Sequence, residues 1–182
     1  MLVNCPFLAP SLRRGLARWH CYEADPYADH DAVEAGVFEA GAWSAEQVRA
    51  RRAAGLGVCE VIALERGMDR FSEMRVLQWP HWALKLLYAP VGVMFGKFTP
   101  SDRRTDRFGR PVTPPPVALL AVRPALATLD PILLPSAPRL RRAIATSVDD
   151  GREVFAAVPG ARDAAHAWPV VRAWSDQKRA DP

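Results

Sequence analysis

An α+β fold in one domain is what this sequence predicts, on three observations. Short apolar runs of strand length, Val58–Leu64 and Pro116–Arg123, alternate with longer stretches of helical spacing. Ten of the 17 prolines fall between Pro90 and Pro138, which confines that half to short strands and fixed loops. At 182 residues with 49% hydrophobic content, the chain can build one sizeable core and is short for two. The expected architecture is a mixed or antiparallel sheet with helices packed mainly on one face, in a single domain over residues 1–182.

The elements follow in order. Residues 1–10 read as a loop carrying Cys5-Pro6-Phe7, and Pro10-Ser11-Leu12 can open one helical turn. Leu16 to Tyr22 alternates as a first strand, ending at Glu23-Ala24-Asp25-Pro26. Asp29 to about Ala54 is helical, because Val33, Val37 and Phe38 share a face and Ala45 to Ala53 is rich in strong helix formers; Gly36 and Gly41 are expected to divide it. Gly55-Leu56-Gly57 stops the helix, and Val58 to Leu64 reads as a central strand. Asp69 or Ser72 can cap a helix reaching Tyr88, interrupted or restarted at Pro80. Val91 to Gly96 is a candidate strand, Pro100 to Pro116 a polar loop, and Pro116 to Arg123 the clearest buried strand. Helices are expected over Arg139–Val148 and Asp163–Trp174, within a C-terminal helical region at 139–175.

Composition narrows the function. The net charge is +4, yet the basic residues are dispersed among Asp and Glu, and all but Lys85, Lys97 and Lys178 are arginines. Arginine in such excess beside abundant alanine is also what a GC-rich genome yields. No stripe of basic and aromatic residues resembles a nucleic-acid reader, so nucleic acid is not the expected partner. No apolar run approaches the roughly 20 residues of a spanning helix, so no membrane is expected either. Three widely spaced cysteines without a C-x-x-C pair, and a start unlike a signal peptide, favour the reduced cytoplasm.

The chemistry-bearing candidates are few. Cys5 sits beside a proline that fixes the backbone, and a thiolate is a soft ligand suited to haem iron, zinc or iron–sulfur clusters. A lone Cys-Pro is more often simply a cysteine. His20 and Cys21 are adjacent on a strand and point to opposite faces, so both cannot serve one site. His30, His81 and His166 have no partner at zinc-ligand spacing. Arg103, Arg104, Arg107 and Arg110 crowd one loop with Asp102 and Asp106; bidentate guanidinium groups suit carboxylates or phosphates, and the alternative is a solvated loop with local ion pairs. Arg123 closes an apolar strand, so it lies either at the sheet's edge in water or paired inside the fold.

Three stretches carry a resemblance: Cys5-Pro6-Phe7, Gly92 to Pro100, and Pro115 to Arg123 followed by Leu129-Asp130-Pro131-Ile132-Leu133. In this order, over most of positions 5 to 142, they resemble an uncharacterised family of actinobacterial domains met near natural-product biosynthesis genes. More distantly the chain is similar to the YcgG/YqcI-like family, which includes haem-dependent N-hydroxylases of guanidino amino acids. The resemblance implies haem b, with Cys5 as axial thiolate and His20 and His81 as reserve ligands. It implies Phe7, Trp19, Met94 and Phe95 as apolar walls, and Arg103, Arg104, Arg107 and Arg123 as contacts to propionate or substrate carboxylate. The implied activity is N-hydroxylation or N-oxygenation of a small amine- or guanidine-bearing metabolite, with room for a redox partner. Trp168, Trp174 and the apolar strand edges could serve a homodimer interface. The closer family usually carries histidine where this chain has Thr99. The alternative expectation is a non-enzymatic accessory or binding protein of a biosynthetic pathway.

Overall fold

A computed structural model describes residues 9–25, 27–53, 58–64, 73–103, 105 and 111–180. Its core is a four-stranded mixed sheet in the order β1-β2-β4-β3, with β1 Ala17–Tyr22, β2 Cys59–Leu64, β3 Val93–Phe98 and β4 Ala118–Pro124. β1 runs parallel to β2, and the other two pairings are antiparallel. The parallel pair requires a long crossover, which α2 (His30–Ala53) supplies. The remaining helices are α1 Ala9–Arg13, α3 Glu73–Tyr88, α4 Pro138–Ala145 and α5 Ala164–Ala180. The predicted single-domain α+β architecture is the one observed.

Register assigns each side chain to a face. Glu60, Ile62 and Leu64 of β2 align with Val122, Leu120 and Ala118 of β4, and Val122 aligns with Phe95 of β3. These residues, Glu60 apart, join Val37, Phe38, Leu84, Tyr88 and Trp168 in the main core beneath α2, α3 and α5. Burying each large apolar side chain there contributes about 1.5–3 kcal/mol. The opposite face is shallower. Cys59, Val61, Leu119 and Ala121 form a second cluster with Leu12 of α1, Ala17 and Phe98, while Met94 joins Leu140 and Ile144 of α4 in a third.

Three local expectations change. α2 is continuous through Gly36 and Gly41. A Cβ at Gly36 would collide with the Tyr22 hydroxyl, and one at Gly41 would collide with Leu84 Cδ1, so these glycines mark close approach instead of a break. α3 likewise runs through Pro80 without restarting. The missing N–H and ring clash cost about 3 kcal/mol, outweighed by Val76, Leu77, Ala83, Leu84 and Tyr88, all fully buried on that helix. Its expected caps, Asp69 and Ser72, lie outside the described residues. The strand expected from Val91 begins at Val93, because Ala89–Val91 is a 3-10 turn closed by Gly92 at φ 74°. Arg52 Nη1 donates to the Gly92 carbonyl at 3.0 Å, tying the end of α2 to that turn.

Candidate functional site

The largest surprise lies in β2. Glu60 interrupts an otherwise apolar strand and is completely buried on the helix-facing side. A buried carboxylate is costly unless it is paired and hydrogen-bonded. Here both oxygens are held. Arg51 Nη1, near the end of α2, donates to Oε1 at 2.6 Å, and His20 Nε2, on β1, bonds to Oε2 at 2.7 Å. The parallel register places Arg18 opposite Glu60 and His20 opposite Ile62, so Arg18, His20 and Tyr22 share the face with Glu60. The His20 side chain is 33% exposed, and Trp43 of α2 meets its ring at 87° with centroids 5.0 Å apart. The two rings stand perpendicular, and Trp43 is itself half exposed. Burial, reinforced by the charge of Glu39, raises the Tyr22 phenol above its ordinary value and keeps it protonated.

Sequence reasoning singled out His20 but passed over Glu60 and Arg51. The available signal was an acidic residue at the second position of an apolar strand, since such a charge is almost never fully buried without a partner. The expectation that His20 and Cys21 diverge is observed: His20 aligns with Ile62 on the helix-facing side and Cys21 with Ala63 on the other. With Nε2 turned into Glu60, His20 is occupied on the side of the sheet away from the shallow face.

The residues tied to haem by resemblance divide. Trp19, Met94 and Arg123 belong to the shallow face by register, while Phe95 points the opposite way. Phe95 is 1% exposed and packs edge-to-face on Tyr88, so it is core. Trp19 and Met94 are on the two outer strands, with β2 and β4 between them. His81 is buried on α3, its Nε2 3.3 Å from the Phe95 carbonyl oxygen. Arg103 is exposed and donates to the carbonyls of Pro100 and Asp102, both at 3.1 Å, in a turn where the Asp102 carboxylate accepts from Thr99 N–H. Cys5, Phe7, Arg104 and Arg107 lie outside the described residues.

Arg123 is paired inside the fold. Its Nη1 and Nη2 form a fork with Asp130 at 2.9 and 2.5 Å, and Nη1 also donates to the Pro124 carbonyl at 2.9 Å. Asp130 is fully buried and takes a further bond from Leu126 N–H at 2.7 Å, so the ion pair folds the chain back after β4. A propionate at Arg123 would have to displace Asp130, so the described residues do not fit a carboxylate at Arg123. Among the described residues, no group of three His, Cys, Asp or Glu is placed to hold a metal ion.

Comparison with protein-family models, curated proteins and solved structures finds no match. No helix among the described residues is long and apolar enough to cross a membrane. Trp168 and Trp174, expected as candidates for a dimer surface, pack inward: Trp168 lies 5.1 Å from Phe38 in the main core, and Trp174 packs against that core.

Proposed function

We propose that the protein binds haem b on the shallow face of the sheet and serves the oxidation of a small amine- or guanidine-bearing metabolite. One observation carries the reading. Leu12 of α1 packs on that face, and Cys5-Pro6-Phe7 precede α1 in the sequence. Register brings Ala63, Ala121 and Gly96 onto the same face; Ala63 and Ala121 are buried and the Phe98 ring lies against Gly96, so a flat ring seated there would have to displace part of that cover. Haem would supply an iron centre for oxygen- or peroxide-driven chemistry, with Cys5 as its thiolate ligand. Trp19 would wall one side with its indole, and Met94 would close the other beside α4. The Arg103 loop would receive the anionic end of cofactor or substrate, since Arg123 already serves Asp130.

Expression with added haem precursor followed by visible spectroscopy tests this. The expected result is an intense Soret band that moves on Cys5→Ser. A band unchanged by Cys5→Ser would transfer the ligand to histidine, and a colourless protein would end the haem reading.

The accessory-protein reading is favoured by a different observation. Leu126, Leu129, Ile132 and Leu133 are all exposed within eight residues of chain, a clustering that suits a contact surface better than scattered single apolar residues do. A colourless protein whose association with a pathway enzyme is lost on Ile132→Asp, with unchanged circular dichroism, would support it.

A further inference from the structure

The Glu60 cluster is on the other side of the sheet from the proposed haem face, and neither reading above uses it. We propose that His20 is the proton acceptor of a separate surface site that takes a small planar anion. Glu60 fixes the tautomer of His20. A carboxylate only accepts hydrogen bonds, so His20 Nε2 must carry the proton it shares with Glu60 Oε2 at 2.7 Å. The neutral imidazole then keeps its lone pair on Nδ1, for which no partner is present among the described residues.

This is the arrangement of a base with its orienting carboxylate: Glu60 fixes the ring, selects the tautomer and stabilises the imidazolium formed on proton transfer. Arg51, 2.6 Å from the other oxygen, keeps the buried carboxylate in place and offsets its charge. A histidine recruited only to satisfy Glu60 would gain from burial. This one stays one-third exposed beside a half-exposed tryptophan.

The ligand class follows from the walls. Trp43 offers an aromatic surface at a right angle to the imidazole, suited to a flat ring. Arg18 is exposed two residues before His20 on the same face, and a guanidinium favours a carboxylate or phosphate. Glu39, one turn before Trp43 on α2, is the acidic neighbour and disfavours negative charge at that end, so the anionic group of the ligand is directed to Arg18. In the step itself an O–H or C–H of the bound anion gives its proton to Nδ1 and keeps the bonding electron pair. The imidazolium then returns the proton to product or water.

Two measurements on the intact chain decide the matter. Long-range ¹H–¹⁵N spectra of uniformly labelled protein should show His20 as the Nε2–H tautomer. Benzoate, used as the probe anion, should shift the His20 ring and the Trp43 indole together, with affinity reduced about fivefold by Arg18→Ala and by at least as much in Trp43→Ala. His20→Gln should leave benzoate bound, with the Trp43 indole still shifted, because Arg18 and Trp43 hold the anion. A His20 protonated on Nδ1 in the neutral form, or benzoate at millimolar concentration leaving both rings unshifted, would overturn the proposal. Neither readout depends on haem, so failure here and failure of the Soret test are separable.

Discussion

Truncating Asp130 should be among the most damaging single changes the fold can receive. Asp130→Ala removes both halves of the fork to Arg123 and the acceptor of Leu126 N–H, leaving a guanidinium that is 12% exposed without its counter-ion. Breaking a buried pair from one side costs about 3–5 kcal/mol, and the slight exposure of Arg123 points to the lower end, about 3 kcal/mol. In a chain of this size each kcal/mol moves Tm by roughly 2–4 °C, so a drop of about 10 °C is expected. Urea unfolding followed by circular dichroism gives the free energy directly, provided the slope is unchanged. Arg123→Met combined with Asp130→Ala should cost less than the two single changes together, because the stranded charge is gone. A loss below about 1 kcal/mol for Asp130→Ala would refute the structural role and return Arg123 to the ligand-contact set.

Gly41→Ala places a methyl against Leu84 and Leu120 in a closed core, so a net loss of about 1–2 kcal/mol is expected despite alanine's better helix propensity, read from urea midpoints. Ser44 is fully buried on α2 and its hydroxyl has no hydrogen-bond partner among the described residues, so Ser44→Ala should be neutral or raise stability by up to about 1 kcal/mol in the same assay. Asp149 accepts from Arg49 Nε at 3.0 Å and Nη2 at 2.7 Å, and these bonds lower its pKa below the ordinary value. Because the folded pKa is the lower one, the stabilisation is present above the unfolded value near 3.9 and is lost as pH falls through the folded value. Arg49→Ala should therefore flatten the acid limb of a stability–pH profile below about pH 5, and an unchanged limb would contradict the assignment.

The sequence alone determined which stretches are strands and helices, because periodicity and proline placement are local properties. β2 and β4 were legible as continuous apolar runs, and α2 was legible from its apolar spacing and helix formers. It also determined that His20 and Cys21 face opposite ways, since alternation is built into the strand. The meaning of Gly36, Gly41 and Pro80 was not legible. Each weakens a helix locally, and only the approach of Tyr22 and Leu84, or the burial of a whole helix face, shows why it is tolerated there. Arg123 could be read as paired or solvated, but its partner is seven residues away around a turn that the pair itself creates. Glu60 shows the same division. One charge in an apolar strand signals a partner, yet His20 is 40 residues before it and Arg51 belongs to the crossover helix. Distance along the chain hides such clusters, because the energy that fixes them arises only when the sheet register and the helix above it remove the carboxylate from water.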